Sequence, residues 1–326
     1  MPSPLANPYN IGQLGDLVSN ALISWGKGSE LAMNEANSVR QLFMEERAQQ
    51  RTETFSDFSN SGLSSKTGDG EDFALKIKTQ GDSISTTQIK RTARIKITSD
   101  LLEYNKYPEI NSQMKDTGGF LWRGYALDLS HKFTYAFDTT YVDRDGETVT
   151  VTGGDGAALS ANTHTMNDGS TYDNLLTARL SESSLEDADD LGNAIVDHNG
   201  QLVTVRFDTI LTSNHAATKH MAMRLVGQPN QPDTDFRNMA VYNGTRHIVL
   251  PLLDTTAVMA RDTTKSRFWF YVASSRKDDL KARVRRWPDV EAPTKDPDNN
   301  NLQFKAEMHY DIVHLNAWGV IGSNAV

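Results

Sequence analysis

From Pro108 to Phe137 the chain places Trp122, Tyr125, Ala126, Leu129, Phe133 and Phe137 at spacings of three and four. That periodicity puts all six on one face of a long amphipathic helix. Proline is tolerated in a first helical turn, so Pro108 can open it. An aromatic stripe of this width must be covered, and it is read as packing core rather than as a cofactor groove. Gly118 and Gly119 interrupt the pattern at a cost of about 1 kcal/mol each, which predicts a bend or a break there.

The stretch from 60 to 92 poses the opposite problem, because it has too little to bury. SNSGLSSKTGDGED is a Gly/Ser/Asp loop. DFALKIKTQ then alternates, with Phe73, Leu75 and Ile77 on one face and Lys76 and Lys78 on the other. Gly81-Asp82 marks a turn, and SISTTQIKR returns as a Thr-rich strand. A lone hairpin is marginal in water, so this one needs a surface to lie on. Phe73, Leu75 and Ile77 are its expected contact residues.

The remaining segments read as a mixed α+β chain without internal repeats. Residues 1–58 form an arm with helical pieces. Pro2, Pro4 and Pro8 oppose helix early, and Leu31, Glu35, Val39, Leu42, Phe43 and Arg47 then suit a helical stripe. ARIKITS is a strand, followed by a helix start at Ser99. Ser170-x-x-Asp173 resembles a capping box opening a helix over 170–191. Asn199-Gly200 signals a hairpin that leads into a strand, QLVTVRF. A helix fits 214–226, and Asn243-Gly244 turns the chain into RHIVLPLL. RFWFYVA is a buried strand, LKARVRR alternates, and FKAEMHYDIVHL is the last long strand.

Length and composition bound the function. The 326 residues allow two domains or one elaborate one, and 38% apolar content suffices for a packed core. No run approaches the ~18 apolar residues of a membrane span, and the N-terminus lacks the basic and apolar regions of a signal peptide. The absence of cysteine excludes disulfides, thiolate chemistry and cysteine-ligated zinc, and suits a protein made in cytoplasm. A net charge of -9 argues against coating DNA.

Three groups of residues invite a chemical reading. His309, Asp311 and His314 are good ligand types close together. In a strand His309 and Asp311 share a face and His314 takes the other, so three ligands do not converge without a bulge. Asp143-x-Asp145-Gly146 begins like a calcium loop, but position six is Thr148 and position twelve is Gly154, so it is read as a turn. Lys281, Arg283 and Arg285 line one strand face, read as solvated or intersubunit rather than nucleic-acid-binding. There is no GxSxG, no phosphate-binding loop and no dinucleotide fingerprint. No catalytic, cofactor-binding or metal-ligating residue is expected.

Taken in order, three segments resemble tailed-phage major capsid proteins, the prophage Mu-like major head subunits among them. They are ARIKITSDLLEY before a long helix, DHNGQLVTVRFDTILTSNHAATKHMAMRL, and FWFYVASSRKDDLKARVRRWPDVEAP with FKAEMHYDIVHLNAWGVIGSNA, over roughly residues 60–326. The resemblance implies the fold named for the Hong Kong 97 phage. It implies an N-terminal arm (1–58), an extended hairpin loop (59–92), a peripheral domain with the long spine helix (93–145 and 280–326) and an axial domain (146–279). The implied function is assembly as hexamers and pentamers into an icosahedral shell around double-stranded DNA. The implied partners are other copies of the chain, a portal, decoration or cement proteins, and DNA held without sequence specificity. A start at Met1 without an acidic coiled prefix suggests a separate scaffolding protein. The implied place is the virion, after assembly in host cytoplasm. Some relatives weld a hairpin lysine to an asparagine of a neighbour. Lys66, Lys76, Lys78 and Lys90 lie in that region without an identifiable acidic partner, so no such bond is expected. An encapsulin-like compartment and a mixed-fold enzyme acting on polysaccharide remain as alternatives.

Overall fold

The aromatic stripe as far as Phe133 is carried by one unbroken helix that ends at Thr134, a second long helix crosses it, and Phe137, expected on the same helix face, lies in the turn that follows. The computed structural model describes residues 11–58, 64–69, 72–73, 75, 78, 80–98, 101, 107–226, 244–291, 293–296 and 301–325. Pro2, Pro4, Pro8, Lys76, Ile77, Ser99 and Asn243, which carried expectations, lie outside the described residues. In chain order the elements are α1 (Ile11–Arg40), β1 (Met44–Arg47), β2 (Thr52–Phe58), β3 (Gln80–Thr87), β4 (Ile89–Ile97), α2 (Tyr107–Thr134), β5 (Thr140–Val142), β6 (Thr148–Thr150), β7 (His164–Thr165), β8 (Thr171–Tyr172), β9 (Leu175–Leu176), α3 (Glu182–Asn193), β10 (Thr209–Thr212), α4 (Ala216–Val226), β11 (Arg246–Val249), β12 (Trp269–Val272), β13 (Leu280–Val290), β14 (Thr294–Lys295), β15 (Leu302–His314) and β16 (Val320–Ser323).

Two sheets organise the chain. In the first, β15 is central and pairs antiparallel with β13 and β4. β1 adds parallel to β13, and β14 pairs with the start of β15. The second runs β11-β10-β12-β16-β9. Its strands β10, β12 and β16 are buried at every position, which is why TILT and WFYV read as continuous apolar or small runs rather than alternating ones. One core joins α1, α2 and the first sheet through Phe304, Ala306, Met308 and Tyr310. It continues onto one face of the second sheet through Leu211, Phe270 and Val272. The other face, with Ile210, Trp269, Tyr271 and Ile321, closes a second core against Leu185 and Ala188 of α3 and Ala222 of α4. Phe133, in the last turn of α2, packs its ring 5.4 Å from Phe270 and 5.9 Å from Phe43.

The expected break at Gly118-Gly119 does not occur; α2 is continuous there. The glycines mark where α1 crosses. A Cβ on Gly118 would stand 2.2 Å from the Trp25 carbonyl oxygen, and one on Gly28 1.8 Å from that of Lys115. Missing side chains let the two backbones touch, and Trp122 Nε1 donates to Ser29 Oγ across the junction at 2.7 Å. The buried stripe of α1 is accordingly Ala21, Trp25, Ala32, Ala36 and Val39. Leu31, expected in that stripe, faces outward, and Arg47 lies on β1.

Two other local readings change. No helix opens at Ser170, whose side chain bonds Asp168 instead. Thr171–Tyr172 pairs with β7, and Leu175–Leu176 extends the second sheet beside β16. Tertiary pairing overrides the apparent cap, and the helix starts after Ser181, whose side chain forms the real capping box with Ser184. QLVTVRF makes only the isolated bridge Val196↔Leu202. Val203 and Val205 pack against the second core without a ladder partner, so alternation there reflects burial and not pairing.

The crossing makes a prediction of opposite signs within one helix pair. Gly118→Ala should lower stability by about 1–3 kcal/mol, since the helices must move apart. Gly26→Ala in α1, with nothing within 4 Å of its Cβ position, should raise stability by up to about 1 kcal/mol through helix propensity. Urea unfolding of the two variants checks both.

Candidate functional site

The segment with too little to bury is pinned at its base. β2 and β3 pair antiparallel from Thr52↔Thr87 to Phe58↔Gln80. Gly81-Asp82, expected to be a turn, lies inside β3. The glycine serves close approach: its Cβ would stand 2.5 Å from the His198 ring. Phe73 and Leu75 are outside regular structure, so the alternation of DFALKIKTQ does not mark a strand at those positions. They project into solvent, 94% and 83% exposed.

Arg283 is the main anchor. The residue is 1% exposed, and its guanidinium lies 2.5 Å from Glu53 of β2 and 3.1 Å from Asp311 of β15. It also donates to Thr86 Oγ1 of β3 at 3.2 Å and covers the Phe55 ring at 4.7 Å. Thr86 in turn donates to Asp311 at 2.5 Å. Glu53 accepts the backbone amides of Gln49 and Gln50, and these bonds, with Arg283, hold its carboxyl below the usual range. The basic face of LKARVRR is therefore not uniformly open to solvent. Lys281 pairs with Glu46 at 3.3 Å, Arg283 is roofed by the chain's own hairpin, and Arg285 is exposed beside a register shift in β13. Alternation placed the three cations on one face, but it could not reveal what covers that face.

A second set of contacts ties the hairpin to the turn at 197–200 and to the chain after β15. Asn316 Nδ2 donates to Asp57 at 2.7 Å, and Asn167 Nδ2 donates to the Gln80 carbonyl at 3.0 Å. His198 Nε2 lies 3.3 Å from Asp57. On the other side of the first sheet, Asp128 of α2 receives Arg91, Arg144 and the Tyr310 hydroxyl. Arg91 also reaches Asp143 and Asp145, whose turn carries Gly146 at φ +83°.

The ligand types of β15 are dispersed. His309 is partly exposed near Glu307, Asp311 belongs to the Arg283 cluster, and His314 is buried. Among the described residues no three His, Asp or Glu side chains stand together so as to hold a metal ion. Burial drives the His314 imidazole well below its ordinary value. A buried carboxyl that sequence reasoning passed over is Asp279, just before β13. Burial first, then Asp278, pushes it up to about 8.

No family model matches this chain, and no curated protein matches it. Its backbone does match solved structures. One is titled for Gordonia phage Cozz, with TM-score 0.53 and 10% identity over 88% of this chain and 86% of that one. The capsid structure of cyanophage P-SCSP1u gives TM-score 0.52 and 10% identity over 87% and 86%. The capsid of Ralstonia phage GP4 gives TM-score 0.52 and 9% identity over 86% and 86%. The α+β fold is thus the one tailed-phage capsid structures have, the Hong Kong 97 type that the segment order resembled.

Asp279 yields a pH prediction. Its folded value is raised from 3.8 to about 8, so the folded chain holds a proton that the unfolded chain has released. Stability from this group is full below about pH 4 and declines until about pH 8. Asp279→Asn should remove that decline. The variant should gain on the wild type between pH 5 and pH 8.5 by on the order of a few kcal/mol in urea unfolding.

Proposed function

We propose that this chain is the major capsid protein of a tailed bacteriophage, self-assembling as hexamers and pentamers into an icosahedral shell around double-stranded DNA. The observation that carries the reading is a hairpin with a fixed base and, beyond it, two bare apolar side chains. Arg283 and Asn316 hold the base to the subunit, while Phe73 and Leu75 contact almost nothing of their own chain. Large apolar side chains held this far out find burial on another molecule. The capsid fold supplies the context in which that molecule is a second copy. Many modest contacts per subunit then make a closed shell stable. The net charge of -9 keeps an inner wall from gripping packaged DNA tightly. The proposed site is the virion shell, after assembly in host cytoplasm. A separate scaffolding protein, a portal and decoration proteins are the proposed partners, and no catalytic residue is assigned.

Expression with its genomic neighbours should give closed shells in electron micrographs, carrying nuclease-protected DNA. Shells filled with a co-purifying enzyme and no DNA would instead indicate a cargo compartment, and a strictly monomeric chain under every condition would count against both. Fully burying one Phe or Leu side chain contributes roughly 1.5–3 kcal/mol. Phe73→Asp with Leu75→Asp should therefore block shell closure and leave the circular dichroism spectrum unchanged. Purified shells boiled in denaturant should run as a single band near 36.2 kDa; a ladder of covalent multimers would contradict this.

A further inference from the structure

The two ends of the hairpin base are held by different chemistry. At the Thr52↔Thr87 end the anchor is Arg283, and a guanidinium does not lose its charge in a protein. At the Phe58↔Gln80 end, no lysine or arginine lies within ion-pair distance of Asp57 or Asp82 among the described residues; Asp57 meets the His198 imidazole instead. That side chain is wholly buried, with Nε2 3.3 Å from Asp57 Oδ2. Neither of its ring nitrogens makes a hydrogen bond among the described residues. The ring fills the space left by Gly81 of β3, where a Cβ would stand 2.5 Å away, and packs 5.9 Å from the Trp318 ring.

Carboxylates surround this imidazole. Asp57 comes from β2 and Asp82 from β3. Asp155 belongs to the loop packed on Asp82, where a Cβ on Gly154 would stand 2.8 Å from that of Asp82. Asp168 faces Gly200 of the histidine's own turn, and Asp279 acts on Asp57 from just before β13. Asp197 is taken up by the backbone amides of Asn199 and Gln201. Two other groups able to carry positive charge are engaged elsewhere: His164 holds Asp155 at 2.6 Å, and Arg276 covers the Trp318 ring at 5.4 Å. Asp82 Oδ2 is buried without a hydrogen bond among the described residues. Burial raises the Asp82 carboxyl above its ordinary value, and His198 works against that rise. A carboxylate taken out of water needs a cation beside it, so Asp57 and Asp82 keep their charges here at least cost when His198 carries a proton.

We propose that His198 is a proton-operated latch on the hairpin: with an imidazolium in place the Phe58↔Gln80 end is held against the turn at 197–200, and without the proton that end swings away while the Arg283 end stays fixed. The hairpin then has one permanent attachment and one conditional one. Histidine is the side chain that changes charge between about pH 5 and pH 8. Only the imidazolium attracts the carboxylates, so the latch is closed at the acid end of that range and open at the alkaline end. Asn316 and Asn167 also reach this end of the base, but neutral donors do not offset two carboxylates left without a cation. The device lies within one chain and does not depend on the shell reading.

The chain has no cysteine, so introduced cysteines carry spin labels at chosen sites only. Full-length chain with Phe58→Cys and Leu202→Cys, two exposed positions on either side of the contact, is diluted into excess unlabelled chain. Pulsed electron paramagnetic resonance then reads the intramolecular distance across the pH range. One short distance should dominate near pH 5, and a longer population should replace it by pH 8.5. The pair Arg51→Cys and Leu202→Cys, at the Arg283 end, should not change. His198→Gln should give the long distance at every pH. Adding Asp57→Asn and Asp82→Asn to it should restore the short one, a rescue that a merely space-filling histidine would not produce. His164→Gln and Asp279→Asn should each leave the transition in place. A distance that does not change with pH in the otherwise wild-type chain overturns the proposal without recourse to any latch variant. So does a transition that survives His198→Gln, one abolished by Asp279→Asn or His164→Gln, or a failure of the two asparagines to rescue.

Discussion

One helix has to satisfy two sheets. The first turns of α2 lie with α1, and its middle covers the first sheet through Tyr125, whose ring is 4.9 Å from that of Tyr310. Its last turn reaches the second sheet through Phe133 and Phe270. Burial of that single stripe sets where both sheets stand. It also explains why α1 must approach so closely. The sheets occupy one flank of α2, and a helix crossing on the remaining flank has room only if Gly28 and Gly118 remove their side chains. Small residues at the crossing and large ones along the stripe are two halves of one packing solution.

The hairpin is held by a different kind of force. Its base relies on the buried Arg283 and Asp311, which lose hydration and replace it with the ion pairs and hydrogen bonds they share with Glu53 and Thr86. Such a set contributes little net stability over an apolar substitute, but it tolerates few alternative geometries. Beyond the base, Phe73 and Leu75 are almost wholly exposed. Specificity of placement therefore resides at the base, and whatever affinity the tip has is left for another surface.

What the sequence disclosed divides along the same line. The stripe on α2, the buried β12 and the long β15 were legible because burial imposes a period. The crossing glycines were visible as glycines, but their reason was not, since it lies in α1 some ninety positions earlier. Gly81 misled in the same way: a turn and a close approach to a histidine ring require the same missing Cβ. The cap at Ser181 lost to a look-alike at Ser170 because the spacing of Ser170 and Asp173 does not report that β8 turns back on β7 or that β9 is claimed by the distant β16. Lys281, Arg283 and Arg285 shared a face on paper, and only the hairpin folding over them separates a buried anchor from an exposed charge.

The position of β15 in the chain has a kinetic consequence. It is the central strand of the first sheet, and it pairs with β4 and β13. It also supplies Asp311 to the hairpin anchor. β4 is complete at Ile97, whereas β15 begins at Leu302. At a synthesis rate of about 5–20 residues per second, β4 and the hairpin strands wait roughly 10–40 s for their central partner. During that interval a nascent chain has neither a finished sheet nor a fixed hairpin base. Long-range pairing of this kind slows folding, yet here it orders events usefully. The chain cannot hold its hairpin in place until its own sheet has closed, which in the proposed shell would make partly made chains poor partners for finished ones.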